Sequence, residues 1–280
     1  MKKAAVIGFP IGHSWSPIIH NYWLKEYGIL GEYEKIEIQA DDIKNFILDK
    51  KNNSDFKGIN VTIPHKENVA KLCDQLSDNA KKLQAVNLVT FKNKMAYGNN
   101  TDGDGFIESL KETFPEIVLQ KMKIAIFGAG GSAKSIALSL SEYKPEKILI
   151  FNRNISRAVE LVKKLEISAE PLHSNELKNA KQSFDMLINA TPLGMAGQND
   201  QGTFDFKNIK GLSFFADIVY NPEKTKNMLL AEDQNIKTMG GLGMLLYQAV
   251  PAFEAFYGKK PKVSSGLKDH IAKHILSVEK

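Results

Sequence analysis

Two short polar motifs carry the chemistry of this chain, and each contains one ionisable group suited to it. Asn60-Val61-Thr62-Ile63-Pro64-His65-Lys66 ends in an amine, and Gly98-Asn99-Asn100-Thr101-Asp102-Gly103 holds an acid. A glycine turn, Gly128-Ala129-Gly130-Gly131-Ser132-Ala133, follows the apolar run Lys123-Ile124-Ala125-Ile126-Phe127. Reducing a ketone requires a hydride on carbon and a proton on oxygen. A lysine held near a carboxylate can supply that proton and take it back in the reverse direction. Lys66 and Asp102, both expected on loops, are therefore the candidate catalytic pair upstream of a dinucleotide-binding unit. A Lys and an Asp chosen at random would make a surface salt bridge; the motif context selects the catalytic reading.

Gly128, Gly130 and Ala133 fit G-x-G-x-x-[GA]. The first glycine permits a tight turn, the second lets backbone approach a pyrophosphate, and the small third residue lets helix pack on strand. Ala129, Gly131 and Ser132 complete the turn, where free N–H groups at a helix N-terminus face phosphates. The end of the next strand decides which nucleotide binds. NAD calls for a carboxylate there, to accept from the ribose 2′-OH. This chain has Asn152, then Arg153 and, one turn later, Arg157. A guanidinium binds a 2′-phosphate through charge-assisted bonds, so the expected cofactor is NADP(H). Residues 189–195 and 217–222 close two later strands, at the carboxyl ends where open parallel sheets bind ligands. Their Thr-Pro and Asn-Pro pairs are also ordinary turn makers, and spacing alone leaves both readings open.

Ser14 and Ser16 lie two apart on a strand-to-helix turn, where hydroxyls and a helix N-terminus can bind a carboxylate. The alternative makes Ser16 a plain N-cap with Pro17 at N1, which leaves Ser14 unexplained. A calcium loop starting at Asn100 fails at its twelfth position, Lys111, where a bidentate acid belongs. The histidines show no ligand spacing, so no metal is expected.

Short apolar runs alternating with helical segments must position these groups, the pattern of an α/β protein. Strands are expected at 4–9, 33–38 and 58–63, with a hairpin of 86–91 and 95–98 about Asn93. Helices are expected at 16–27, 42–50, 66–74 and 104–114. A βαβ series follows, with strands at 123–127, 147–152, 185–189, 213–219 and 237–239. Its helices are expected at 132–143, 156–165 and 221–234, followed by 244–257 and 267–277. The strands of this second series are near-continuous apolar runs, as in a parallel sheet covered on both faces. The expected division is a substrate domain over 1–103, a Rossmann-type nucleotide domain over 104–240, and C-terminal helices, 241–280, returning to the first.

At 43% hydrophobic residues the chain can bury a real core, and no apolar run approaches the roughly 18–20 residues of a membrane span. Cys73 is the only cysteine, which excludes an intrachain disulfide and suits the cytoplasm. The net charge is +5, but the lysines are dispersed, which argues for a solvated surface and against a nucleic-acid stripe. Monomer and homodimer remain open.

Taken in order, these motifs resemble the shikimate dehydrogenase family, in its biosynthetic, NADP-using type. The likeness spans residues 8–249 and rests on 8–21, 60–66, Ala85-Val86-Asn87, Asn100-Thr101-Asp102, 128–133, Asn152-Arg153, 189–195, 217–222 and 241–248. It implies reversible reduction of 3-dehydroshikimate to shikimate with NADPH, on the route to chorismate and the aromatic amino acids. It implies that Ser14 and Ser16 bind the substrate carboxylate and that Lys66 is the acid/base. Thr62, Asn87, Asp102 and Gln248 would hold the ring hydroxyls and Lys66, with Tyr220 and Gly241 where substrate meets nicotinamide. Arg153 and Arg157 would clamp the 2′-phosphate, and the resemblance adds Asp78, Asn154, Thr191 and Ile218 to the cofactor set. The chain departs from the family pattern at Gln84 and Leu88, which flank Ala-Val-Asn where Gly and Thr are usual, and at Asn154, Ile218 and Gly240. None of these removes a proposed catalytic group. The nearest rival is an NAD-linked quinate/shikimate dehydrogenase, which Asn152 and Arg153 oppose. A non-catalytic sensor of pathway metabolites should have lost Lys66 or Asp102, and both are present.

Overall fold

The apolar runs become strands because their β-branched and aromatic side chains can be buried on a pleated surface. Our computed structural model describes residues 1–177, 183–197 and 202–278, and in it the chain divides into two units. One comprises Met1–Thr101 with Leu246–Lys280; the other is Asp102–Leu245.

The first unit contains β1 (Lys2–Gly8), α1 (Ser16–Glu26), β2 (Gly31–Glu37), α2 (Ile43–Asn52) and β3 (Phe56–Val61). It continues with α3 (Lys66–Ala70), β4 (Gln75–Leu76), α4 (Asp78–Leu83), β5 (Leu88–Lys92) and β6 (Met95–Asn99). The sheet runs β2-β1-β3-β5-β6-β4. β1 is parallel to β2 and β3, whereas β5 is antiparallel to β3 and β6. The hairpin turns at Asn93 and Lys94, both at positive φ, as a tight two-residue hairpin turn requires. Ile7, Ile43, Ile47, Ile59 and Val89 form the core on one face. The C-terminal segment seals the other end. Trp23 Nε1 donates to Lys262 O (3.0 Å) and Tyr257 OH to Glu32 O (2.8 Å), beside the buried rings of Phe253 and Phe256.

The second unit opens with α5 (Asp102–Thr113), β7 (Lys123–Phe127), α6 (Gly131–Glu142), β8 (Lys147–Asn152), α7 (Ile155–Leu165) and β9 (Glu170–His173). Then come β10 (Met186–Asn189), β11 (Phe214–Asp217), α8 (Lys226–Glu232) and β12 (Lys237–Met239). α9 (Leu242–Tyr257) leads back into the first unit, and α10 (Ser265–Val278) follows. The second sheet is parallel throughout, in the order β12-β11-β10-β7-β8-β9. Strand order therefore reverses between β7 and β10, the switch point where doubly wound sheets bind nucleotides.

Several expectations need correction. The helix expected at 221–234 begins only at Lys226, because Pro222 disfavours helix before it and Thr225 provides the cap, accepting from Met228 N. The helix expected to run to residue 74 ends at Ala70, and Gln75–Leu76 pairs beside β6 instead. Strand β9, which carries Pro171, lay outside the sequence reading because proline is tolerated only at a sheet edge, and β9 is an edge. Among the described residues, no helix is long and apolar enough to cross a membrane.

Candidate active site

Lys66 opens the helix expected from residue 66, whereas Asp102, expected in a turn, already lies in a helix. Each is the first residue of a helix, Lys66 of α3 in the first unit and Asp102 of α5 in the second. A carboxylate at a helix N-terminus lies where the partial positive charge of the backbone favours it. The Lys66 main chain is anchored to the segment that leads into β5, since its carbonyl accepts from Val86 N at 3.0 Å.

The substrate candidates of the first unit gather beyond the carboxyl ends of β1 and β3. The structure corrects the reading of Ser16 as a cap. Trp15 occupies the cap position, and Ser16 already lies in the helix with its N–H donating to Ser14 Oγ at 3.4 Å. The Ser16 hydroxyl is thereby released from capping. Ser14 Oγ donates to Ser16 Oγ (3.3 Å), Ser16 is hydrogen-bonded to the Tyr33 phenol, and Tyr33 OH donates to Asn60 Oδ1 (2.7 Å). Asn60 Nδ2 then donates to Asn87 O at 3.1 Å. Burial pushes the Tyr33 phenol well above its ordinary range, so it serves as a neutral link.

Asn87 is the hub of a second network. Its Nδ2 donates to Thr101 Oγ1 (3.1 Å) and to Gln248 Oε1 (3.3 Å), and its Oδ1 accepts from Thr101 N (2.9 Å). Thr101 Oγ1 donates to Gln248 O at 2.9 Å, so α9 is tied to the strand that leads to Asp102. Thr62 is half-buried, with its N–H donating to Ile7 O. Ser14, Ser16, Thr62, Lys66, Asn87 and Gln248 thus belong to one unit. Gln84 takes a left-handed conformation, φ 52°, at the end of α4. The glycine usual in the resembling family is strain-free there, and a side chain costs about 1 kcal/mol.

In the second unit the glycine turn meets the switch point. Gly128 has φ +119°, donates to Phe151 O (2.8 Å), and lies so close to β10 that a Cβ would be 2.8 Å from Ala190 O. Only glycine fits this turn. Gly130 and Gly131 face open space at the start of α6, with nothing within 4 Å of an added Cβ, and Ala133 is buried. A backbone cradle of this kind suits a pyrophosphate.

Asn152, Arg153, Asn154 and Arg157 sit at the next strand end. Asn154 caps α7 by accepting from Ser156 N (3.1 Å), and Asn152 Nδ2 donates to Asn154 O (2.8 Å). Arg153 and Arg157 are exposed, and neither guanidinium has an ion-pair partner among the described residues. Asp78, by contrast, lies in the first unit at the start of α4, with its side chain 92% exposed and 3.3 Å from Lys81 Nζ.

The two Pro-containing segments left open by sequence prove to be joined by buried polar atoms. Asn189 Nδ2 donates to Asp217 Oδ1 (2.9 Å), and Thr191 N and Oγ1 both donate to Asn189 Oδ1 (3.2 and 2.7 Å). Asp217 also accepts from Val219 N (3.1 Å) and Thr225 Oγ1 (2.8 Å). Burial raises the Asp217 carboxyl to about 6, against the lowering effect of those three bonds. Ile218 and Tyr220 follow on the same segment, and burial also raises the Tyr220 phenol. Gly241 donates to Val219 O at 3.1 Å, and any Cβ there would collide with Ile218 O. Tyr33 and Thr225 were not singled out from sequence, and Asn60, Asn189 and Asp217 entered only as the first residues of segments 60–66, 189–195 and 217–222, with no role of their own. The only signal for the acid and the amides was their position at strand ends, and Tyr33 offered none.

Comparison with known proteins places these sites in context. Residues 6–89 match the family described as shikimate dehydrogenase substrate binding domain, and residues 108–228 the family described as shikimate / quinate 5-dehydrogenase. A shikimate dehydrogenase (NADP(+)) of Ruegeria sp. (strain TM1040) is 36% identical over 269 residues, covering 96% of this chain and 97% of that protein. The structure of shikimate 5-dehydrogenase from Thermus thermophilus in complex with NADP(H) and shikimate is 29% identical with a TM-score of 0.84, covering 98% of this chain and 100% of that one. A quinate dehydrogenase from Corynebacterium glutamicum in complex with NAD is 27% identical with a TM-score of 0.88, covering 97% and 99%. Backbone shape is therefore common to NADP- and NAD-bound proteins, and the choice between them rests on side chains.

Proposed function

This chain belongs to the shikimate dehydrogenase family, and from that premise we propose that it reversibly reduces 3-dehydroshikimate to shikimate with NADP(H). The observation that carries the reading is the polar edge of the first unit. There Ser14, Ser16, Thr62, Asn87 and Gln248 supply hydroxyls and amides enough to bind a carboxylate and several ring hydroxyls, and Lys66 belongs to the same unit.

In this mechanism the Ser14 and Ser16 hydroxyls donate to the substrate carboxylate. Thr62, Asn87 and Gln248 orient the ring through its hydroxyls. When bound, NADPH supplies the hydride to the carbonyl carbon. Lys66 donates the proton that the carbonyl oxygen then needs, and recovers it when shikimate is oxidised. Asp102 is the carboxylate partner in that proton transfer. The turn from Gly128 to Ser132 would hold the pyrophosphate, Arg153 and Arg157 the 2′-phosphate, and Thr191, Ile218, Tyr220 and Gly241 the nicotinamide side. Asp78 keeps its place in the cofactor set only through the family resemblance. We place the enzyme in the cytoplasm, in keeping with its single cysteine.

Initial rates with shikimate or quinate, each with NADP or NAD, test this function. The expected result is a clear preference for the shikimate–NADP pair; a preference for quinate and NAD would select the rival reading. Ser14→Ala is expected to weaken shikimate binding about tenfold or more, through loss of a bond to a charged group, and to leave NADP binding unchanged. An unaltered shikimate affinity would remove Ser14 from the carboxylate site.

A further inference from the structure

We propose that Asp217 is a positioning residue for the nicotinamide end of the cofactor, holding the segments at 189–195 and 217–222 in a single arrangement. This rests on the reading above, in which Thr191, Ile218 and Tyr220 border that end.

Asp217 is fully buried, and its partners are three neutral donors, one of them on its own segment. They are the Asn189 amide at the end of β10, the Val219 N–H just past β11, and the Thr225 hydroxyl that caps α8. Burying a carboxylate without a cation is costly, and an asparagine would fill the same space without that penalty. What an asparagine cannot do is accept on both sides. Because a carboxylate only accepts, the Asn189 amide must turn its Nδ2 toward Asp217 and its Oδ1 toward Thr191. The Thr225 hydroxyl must likewise donate, which leaves its lone pair for Met228 N (3.2 Å).

The polarity set at Asp217 passes outward from there. Asn189 Oδ1 receives the Thr191 N–H and hydroxyl, and Thr191 Oγ1 in turn accepts from Leu193 N at 3.2 Å. On the other arm, Val219 is held by its N–H and receives Gly241 N through its carbonyl. Thr191 Cγ2 would be 2.9 Å from a Cβ at Gly128, so the arrangement reaches the glycine turn. An amide at 217 would put a donor against Asn189 or Thr225 and leave a buried hydrogen without an acceptor.

Asp217→Asn keeps the shape and removes only this one-sided acceptance. NADP binding, followed by calorimetric titration, should weaken about tenfold. An adenosine bisphosphate that carries the 2′-phosphate but lacks nicotinamide should bind as it does to the wild type. The shikimate KM should stay constant while kcat falls. Thr225→Val should act in the same direction and Thr225→Ser should restore wild-type binding, and this pair decides the matter if Asp217→Asn does not fold. Equal weakening of both ligands, or of neither, overturns the positioning role. A wild-type protein that binds neither ligand overturns the cofactor reading, and this inference with it.

Discussion

Replacing Lys66 with alanine is expected to lower kcat by about 10²–10⁴-fold with little change in the shikimate KM, because the lost group acts mainly in the transition state. The fold should tolerate the change. Lys66 is half-exposed, the bond from Val86 N goes to its main-chain carbonyl and survives the change, and alanine favours the short helix α3 that begins there. The substrate's carboxylate and hydroxyls keep their partners on Ser14, Ser16, Asn87 and Gln248, so ground-state binding survives. Steady-state kinetics in the direction of shikimate oxidation provide the measurement. A variant with undiminished kcat would take Lys66 out of the mechanism, and one with raised KM alone would make it a binding residue.

The second large effect concerns the cofactor. Arg153→Ala should weaken NADP by about 1.5–3 kcal/mol, the worth of one hydrogen bond to a charged group, and should leave NAD nearly untouched. The guanidinium is exposed at the end of β8 and no carboxylate pairs with it among the described residues, so its removal disturbs no ion pair of the fold. Arg157, one turn along α7, remains to supply part of the attraction, which sets the upper bound on the loss. Dissociation constants for NADP and NAD should therefore converge. Equal weakening of both would mean that Arg153 does not read the 2′-phosphate. The same experiment bears on the rival fed by shape alone, since the NAD-bound quinate dehydrogenase shares the backbone at a TM-score of 0.88.

Two departures from the family pattern show how a local rule can be broken at modest cost. Gln84 accepts a left-handed backbone to end α4, a conformational cost confined to one residue. Leu88, where threonine is usual, is buried at the start of β5 opposite Asn60, so its methyl groups join the core and no hydroxyl is left without a partner.

Read alone, the sequence determined whatever depends on neighbours a few residues away. Apolar runs of the right length marked the strands, the glycine turn marked the expected phosphate site, and Asn152 with Arg153 pointed to the expected nucleotide. The start of α8 was still misplaced at close range: its cap is Thr225, three residues beyond Pro222. The tertiary structure alone decided which polar atoms meet. Asn87 and Gln248 are 161 residues apart, Tyr33 joins Ser16 to Asn60 from an edge strand, and Asp217 unites two segments whose prolines had suggested mere turns. The physical reason is that a buried donor or acceptor must find a partner, and strand order, not distance along the chain, determines which one is within reach.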